Sequence, residues 1–408
     1  MFQKLKNIFH LFQAVAANIW YGFPSRSIKV IGVTGTDGKT TSTHLIYHIL
    51  KNCGKRVSMI STIYAQVGTK IFDTGFHTTT PNSFQIQKLL RLAVDNKDDY
   101  FVLETTSHRL DQNSLWGVFF EVSLITNITH EHLDYHKTYE KYLETKVKII
   151  NLSKISLLNR DDESYPLILK RIKKQIIKTY SLKEKSDFSV DYKQIYSYIT
   201  KYNSYNYLGA HSVCEILGLS KDKIIRSLID FKLPKGRLEV VYDGEYKIIV
   251  DFAHTPNAIS EVLKSVRNKY FIDKQRGKLI HIFGSAGLRD SSKRYFMGCA
   301  SGTYSDIVIL TEEDYRNENP YKICEQIADG LQEKSFTIKE SNLIEQNDKK
   351  KYTIMIKRNE AITKAISLAL PGDVLVITGK GHEMSICRGK REFPWNDIDY
   401  VKKIKFIS

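Results

Sequence analysis

Residues 28–41 read IKVIGVTGTDGKTT. An unbroken apolar run ends in glycines, threonines and one lysine, and an amphipathic stretch, KTTSTHLIYHILKNCGK, begins at that lysine. A buried strand followed by a glycine-rich turn and a helix start is the local architecture of a phosphate grip. Gly35 and Gly38 would let the turn form, and Lys39 would reach the β/γ-phosphates. Thr40 would offer its hydroxyl to magnesium, while Thr36, Asp37 and Thr41 complete the nucleotide contacts. The spacing departs from G-x-x-x-x-G-K-[ST], because position 33 is Val.

The same pattern repeats outward from this turn. YFVLETTSH (100–108), EVSLITNIT (121–129) and KISLLNRDD (154–162) each place apolar residues before a polar cluster, with SFQIQKLLRLAVDN (83–96) as a further helix. Buried parallel strands look like this, and their chemistry collects at the carboxyl ends. Residues 185–206, rich in Tyr and Ser, read as strands or an irregular excursion. A second series follows: YKIIVDFAHTP, KLIHIFGSAG, SDIVILTEED and DVLVITGKG. The stretch FKLPKGR (231–237) has the Pro and Gly of a junction. The expected fold is α/β: a P-loop-type, mostly parallel central domain over 28–235, then a smaller Rossmann-like α/β domain over 236–408. Residues 1–27 would form an amphipathic helix.

A length of 408 residues suffices for two or three cores, and 42% hydrophobic with 26% charged residues is ordinary globular composition. The net charge of +16 comes largely from scattered lysines, as in LKRIKKQIIK and NDKKKY. No basic stretch is regularly interleaved with aromatics, so nucleic acid is not an expected partner. Five dispersed cysteines without C-x-x-C suggest neither zinc nor disulfides, and fit a reducing cytoplasm. In the N-terminal segment Leu5, Ile8, Phe9, Phe12, Val15, Ala16, Ile19 and Trp20 recur at helical spacing, too often interrupted for a membrane span. Docking on the body of the protein is the preferred reading. The other is a peripheral membrane contact through residues 1–24, with Trp20 and Tyr21 at the interface.

Motifs beyond the opening loop carry a family resemblance. TTTP (78–81), LETTSHRLDQ (103–112), TNITHEHLDYHKTYEKYLETK (126–146), NSYN (203–206) and GRLEVV (236–241) follow GVTGTDGKTT in order. VDFAHTPNA, FGSAGLRDSSKR and ITGKGHE complete the series. Together they resemble the Mur ligases, which add amino acids to the peptidoglycan precursor, and most of all the branch that extends UDP-MurNAc-L-Ala-D-Glu. The resemblance implies an ATP-dependent amide-forming ligase working through an acyl phosphate, with two Mg2+ ions. It also implies cytoplasmic location, small-molecule substrates and a monomer.

Residue by residue, the resemblance implies Lys39, Glu104, His132 and Lys146 as catalytic groups. Thr40, Glu104, His132 and a carbamylated Lys146 would serve the metals. Asn206, Arg237, Asp251 and His254 would join the ATP contacts, with closure of the second domain excluding water. Thr79, Thr80, Thr106 and Gln112 would hold the acceptor. Arg294, the turn Glu313, Asp314, Tyr315 and Arg316, then Gly379 and Glu383 would receive the incoming amino acid. Family members that select meso-diaminopimelate carry D-N-P-R at that turn, and here only Arg316 of the four remains. His130 and His136 would be surface or substrate-lining residues.

Two departures stand out. Family members of this branch begin with a domain that grips uridine diphosphate, and only about 27 residues precede the first strand here. Ser114 replaces an Arg that helps hold the muramyl dipeptide. Other readings are a ligase of folylpolyglutamate or poly-γ-glutamate type, or one with a lipid-linked acceptor. Further off stand a P-loop binding protein without ligase activity and a zinc hydrolase built on HEHLDYH.

Overall fold

In a computed structural model of the protein, residues 2–73, 79–129, 131, 133–172, 175–189, 203–271 and 277–405 are described. The chain divides into two compact units, Met1–Lys232 and Leu233–Ser408.

The first unit carries helix α1 (Phe2–Tyr21), then strand β1 (Lys29–Thr34) and helix α2 (Lys39–Asn52). Strands β2 (Val57–Ile60), β3 (Ala65–Val67) and β4 (Lys70–Phe72) precede α3 (Ser83–Asp95). There follow β5 (Tyr100–Glu104), α4 (Ser107–Asp111), β6 (Phe120–Ile125), α5 (Leu133–His136) and α6 (Tyr139–Asn151). The unit ends with β7 (Ser153–Asn159), α7 (Tyr165–Leu169), β8 (Ile176–Tyr180), α8 (Ser204–Ile216) and α9 (Lys221–Ile229). The eight strands lie in the order β4-β3-β2-β5-β1-β6-β7-β8, with β3 and β4 antiparallel and the other pairings parallel.

Alternation along β1 explains why its apolar run is continuous. Ile31 and Val33 face a core with Leu45, Ile49 and Leu208. Val30 faces the opposite core with Ile86, Leu90, Phe101 and Ile149. A strand buried on both faces has no polar side to show. The register pairs Val33 with Glu104 and Thr34 with Ile125, so β1, β5 and β6 end side by side. Residues 204–206 are the first turn of α8, not an irregular excursion. Burial of Tyr207, Leu208, Ala210 and Val213 against β6 and β7 organises them as helix, which a Tyr/Ser-rich composition does not foretell.

The second unit has β9 (Glu239–Asp243), β10 (Lys247–Val250), α10 (Pro256–Tyr270), β11 (Leu279–Phe283) and α11 (Lys293–Tyr304). Next come β12 (Ile307–Leu310), α12 (Pro320–Glu333), β13 (Thr337–Ile338), β14 (Lys351–Ile354) and α13 (Arg358–Leu368). Last are β15 (Val374–Ile377), the hairpin β16 (Ser385–Arg388) and β17 (Arg391–Pro394), and α14 (Asp397–Lys405). Seven strands run β13-β14-β12-β11-β15-β10-β9, all parallel except β9. Both units therefore have the mostly parallel α/β architecture expected from the sequence.

His281 on β11 is fully buried between Ser301 Oγ (2.8 Å) and Thr378 Oγ1 (3.0 Å). Burial, and then the charge of Arg358, lower its pKa from 6.5 to about 3. Between those values the unfolded chain binds more protons than the folded one, so stability present above pH 6.5 is lost as pH falls toward 3. Thermal melts across that window should show a shallower acid loss for His281→Gln than for wild type. Parallel curves would remove His281 from the acid response.

Candidate active site

The turn after β1 is shaped by its glycines. Gly35 has φ +152° and Gly38 φ +79°. A Cβ on Gly35 would stand 1.8 Å from Thr126 Oγ1, and one on Gly38 would stand 2.1 Å from Asn206 Oδ1. Gly38 is also the N-cap of α2, whose first amides open onto the turn. The segment after β6 holds the turn from outside. Thr36 N donates to Asn127 O (2.9 Å), Asp37 N to Asn127 Oδ1 (2.9 Å), and Thr126 Oγ1 to Asp37 O (2.7 Å). Thr36 Oγ1 meets Tyr142 OH at 3.1 Å and accepts from Thr129 N at 2.9 Å. Asn206, expected beside adenine, lies in α8 against the turn, where Ser42 Oγ donates to its Oδ1 (3.4 Å).

Two lysines converge on the same carbonyl. Lys39 Nζ donates to Gly35 O (3.0 Å) and Thr36 O (2.7 Å), and Lys146 Nζ donates to Gly35 O (2.6 Å). Lys146 projects from α6, is 1% exposed, and lies 4.9 Å from the Tyr142 ring centroid. Burial and then the charge of Lys39 hold its pKa well below the usual lysine value, against the pull of Glu131 and Asp37. Such surroundings disfavour the charged form of the amine.

Glu104, at the end of β5, is fully buried. Its Oε1 accepts from Thr40 Oγ1 (2.9 Å) and Thr62 Oγ1 (2.7 Å), and its Oε2 from Thr62 N (2.8 Å). The carboxylate, the Thr40 hydroxyl and the glycine turn suit a magnesium-bound triphosphate: hard oxygen donors beside backbone amides and lysines. Thr41, on the same first turn of α2, is buried. His130 and His132 lie outside the described residues. His136 is not at the surface: it is buried, with Nε2 3.0 Å from Ser107 Oγ, and burial followed by His108 lowers its pKa to about 4.

Thr62, Thr126, Asn127, Thr129 and Tyr142 were not among the sequence candidates. The visible signal was TNIT directly after a strand; Thr62 had none, because its role depends on β2 lying next to β5.

On the expected acceptor side, Thr80 Oγ1 donates to Glu104 O (3.0 Å) and accepts from Thr106 N (3.0 Å). Thr106 caps α4, accepting from Arg109 N. Arg109, absent from the candidates, ties the group together: Nε donates to Thr80 O (3.0 Å) and Nη1 to Gln112 Oε1 (3.1 Å). Thr79 is half-buried beside them. Ser114 is buried, and its carbonyl accepts from Ser83 Oγ (2.9 Å).

In the second unit two loops interlock. Asp251, after β10, accepts from Leu238 N and Ala253 N, both at 2.7 Å. Burial lifts its pKa, opposed chiefly by Arg237. The Arg237 guanidinium lies 4.5 Å from the Phe252 ring centroid, and His254 Nδ1 sits 3.0 Å from Phe252 O.

The expected amino-acid residues separate into two groups. Glu313, Asp314, Tyr315, Arg316, Gly379 and Glu383 come together. Glu313 is buried with Oε2 toward Gly379 (φ +103°), where a Cβ would approach it to 2.8 Å. Burial, then Asp314, raises its pKa. Asp314 Oδ1 accepts from Lys380 Nζ (2.8 Å) and Cys387 N (2.8 Å), and Lys380 also pairs with Glu383 (2.5 Å). Tyr315 closes the turn, its amide donating to Glu313 O (2.8 Å). Arg316, at φ +51°, donates from Nη1 to Gly287 O (2.8 Å) and Asp314 O (3.3 Å), and makes no ion pair among the described residues. Arg294 is different: fully buried, it grips Glu318 through both Nη atoms (2.5 and 2.9 Å), with Gln326 and Ala286 O as further acceptors. It braces the turn from behind and offers no fork outward. Lys380, the cation that binds Asp314 and Glu383, lies within ITGKGHE, where nothing in the sequence distinguishes it from the many other lysines.

Comparison with known proteins places the chain in a family. The Mur ligase middle domain model matches residues 33–218, and the model described as Mur ligase, glutamate ligase domain matches 236–381. The chain is 38% identical over 414 residues to the UDP-N-acetylmuramoyl-L-alanyl-D-glutamate--2,6-diaminopimelate ligase of Clostridium tetani, covering 96% of this chain and 80% of that one. A solved structure of a ligase with the same name superposes with TM-score 0.58 at 27% identity, over 92% of this chain and 78% of the other. FolC of E. coli, solved with DHPP and ADP, gives TM-score 0.70 at 15% identity, over 97% and 93% of the two chains, and shows the shared fold. Two family domains in order, on a phosphate turn with its buried carboxylate, make the chain a member of the Mur ligase family, the ATP-dependent ligases that form amide bonds.

Proposed function

We propose that this chain joins meso-diaminopimelate to UDP-MurNAc-L-Ala-D-Glu, in the manner of its named relatives. The observation that carries the reading is the pairing of a fully buried Glu104, bonded to Thr40, with a buried Lys146 whose protonation is disfavoured by burial and by Lys39, at one phosphate turn. A binding switch needs the first; the second has no use in simple nucleotide binding.

A carboxylate is a poor electrophile, so it must be activated. Its oxygen takes the γ-phosphoryl group of ATP and ADP departs. The incoming amine then attacks the carbonyl carbon of the acyl phosphate, phosphate leaves with the C–O bond pair, and the amine nitrogen loses a proton. Lys39 would neutralise the phosphates, and the turn amides would orient them. Glu104 and Thr40 would hold one magnesium, and His132 with a carbamylated Lys146 the second. When bound, those ions supply charge neutralisation along the transfer path. Asp251, His254, Arg237 and Asn206 are offered as further ATP contacts, and Thr79, Thr80, Thr106 and Gln112 as acceptor contacts.

Arg316 would fork onto the distal carboxylate of diaminopimelate, a group that lysine lacks. Arg316→Ala should lower kcat/KM for diaminopimelate by roughly 10- to 100-fold, while ATP binding stays intact. The deciding assay supplies ATP, Mg2+ and UDP-MurNAc-Ala-Glu with diaminopimelate or lysine, and reads the product by mass spectrometry. Joining of diaminopimelate with matching phosphate release is expected. ATP splitting at one slow rate, whatever amino acid is present, would overturn the reading.

A further inference from the structure

We infer that α1 is a docking element for the surface of an anionic lipid bilayer. The helix is attached to its own unit by the wrong face for an ordinary amphipathic helix. Its buried side chains among the described residues are Ala14, Ala17 and Asn18. Polar anchors hold it: Asn18 Nδ2 donates to Trp116 O (2.7 Å), Asn7 Nδ2 to Asp111 Oδ2 (3.0 Å), and Gln3 Nε2 to Tyr135 OH (2.7 Å). The apolar side chains point away. Leu5, Ile8, Phe9, Phe12, Ile19 and Trp20 fall on one outward stripe, with Phe12 69% and Trp20 78% exposed. A surface helix normally buries that stripe and solvates the other face. Here the polar face is spent on the protein, and about 24 Å of apolar stripe is offered to solvent.

Charge chooses the occupant. Residues 1–36 contain no Asp or Glu; Lys6 is exposed on α1 beside the stripe, and Arg26, exposed just past the helix, lies 4.4 Å from the Phe23 ring centroid. Trp116 and Phe119, 42% and 51% exposed, are further exposed aromatics close to the end of α1, where Phe23 packs edge-on against Trp116. Aromatic residues beside a lysine- and arginine-flanked apolar strip are the chemistry of the headgroup boundary. A second copy of the chain would bring the same cations to meet these, each copy carrying a net charge of +16, with no carboxylate in the segment to pair with them. An anionic bilayer supplies both the apolar layer and the opposite charge. No described helix is long and apolar enough to cross a membrane, so α1 would lie on the surface. Being already folded and fixed, it presents the stripe without the cost of ordering a free peptide.

The test floats the full chain with vesicles of phosphatidylcholine alone and of an equal mixture with phosphatidylglycerol. Wild type should rise with the mixed vesicles and stay down with the neutral ones. Phe12→Glu combined with Trp20→Glu should weaken that partitioning by about 100-fold. Both positions are exposed, so the variant should keep the wild-type melting temperature and wild-type turnover of soluble substrates. That turnover also keeps this result separate from the ligase reading. Equal partitioning of the variant, no flotation of wild type, or equal binding to neutral vesicles would overturn the inference. So would a wild-type dimer in light scattering that the double substitution converts to monomer, which would give the stripe to a second copy.

Discussion

Lys146→Ala should abolish amide formation, by on the order of 100- to 1,000-fold, and acetate should restore part of it. The argument starts from the environment of the amine. Its Nζ is buried beside Gly35 O (2.6 Å) and below the Tyr142 ring, and burial followed by Lys39 suppresses its protonation. A neutral amine adds CO2 and releases a proton, becoming an N-carboxylate. As the proposed carbamate, the side chain would be an anion attracted to Lys39 and able to support a metal. A small carboxylate diffusing into the space left by alanine can replace that anion. Rescue by acetate and not by methylamine is the expected signature. Rescue by methylamine instead, or recovery in Lys146→Arg, would identify a cation as the working species. The melting temperature of the variant is the control, since removing a desolvated lysine should perturb folding little.

Arg358→Met should destabilise the second unit by about 3–5 kcal/mol, read as a fall in urea midpoint at unchanged slope. Arg358 and Asp397 are both fully buried and joined through Nε–Oδ1 and Nη2–Oδ2, each at 2.7 Å. Losing the guanidinium leaves Asp397 in the interior with Trp395 Nε1 (2.8 Å) as its remaining side-chain donor among the described residues. Arg358→Met with Asp397→Leu should recover much of the loss, because the cost lies in the orphaned charge. An effect on substrate should accompany it. Arg358 also donates to Thr378 O (2.8 Å) and Glu312 O (3.2 Å), the carbonyls just before Gly379 and Glu313. Slackening both loops should raise KM for the amino acid more than it lowers kcat. A variant with wild-type stability would show that the pair is dispensable.

Much of the site was legible because its parts are short-range. The phosphate turn reads directly, since Gly35 and Gly38 occupy backbone geometry that a side chain would block, and the strand before it is marked by its apolar run. Glu104 ends a strand, but a strand-end carboxylate is ordinarily solvated, and only the family resemblance marked it as a metal ligand. Arg294 misled, because a conspicuous arginine in a motif looks the same whether its fork faces ligand or Glu318. Arg109 and Lys380 were passed over for the opposite reason: each binds several candidate residues that only meet in three dimensions. The periodicity of residues 5–20 announced an amphipathic helix and gave no sign of which face would be turned inward.

By itself the sequence determined two series of buried parallel strands, the nucleotide turn and the family, because these follow from residue period, glycine at special backbone angles and motifs in order. Only the tertiary structure decided that Thr62 completes the shell of Glu104, that Lys146 is buried beside Lys39 with its charge disfavoured, and that Arg294 is spoken for. Those outcomes depend on which distant groups share a buried space, and desolvation and ion pairing are properties of that space and not of the residues alone.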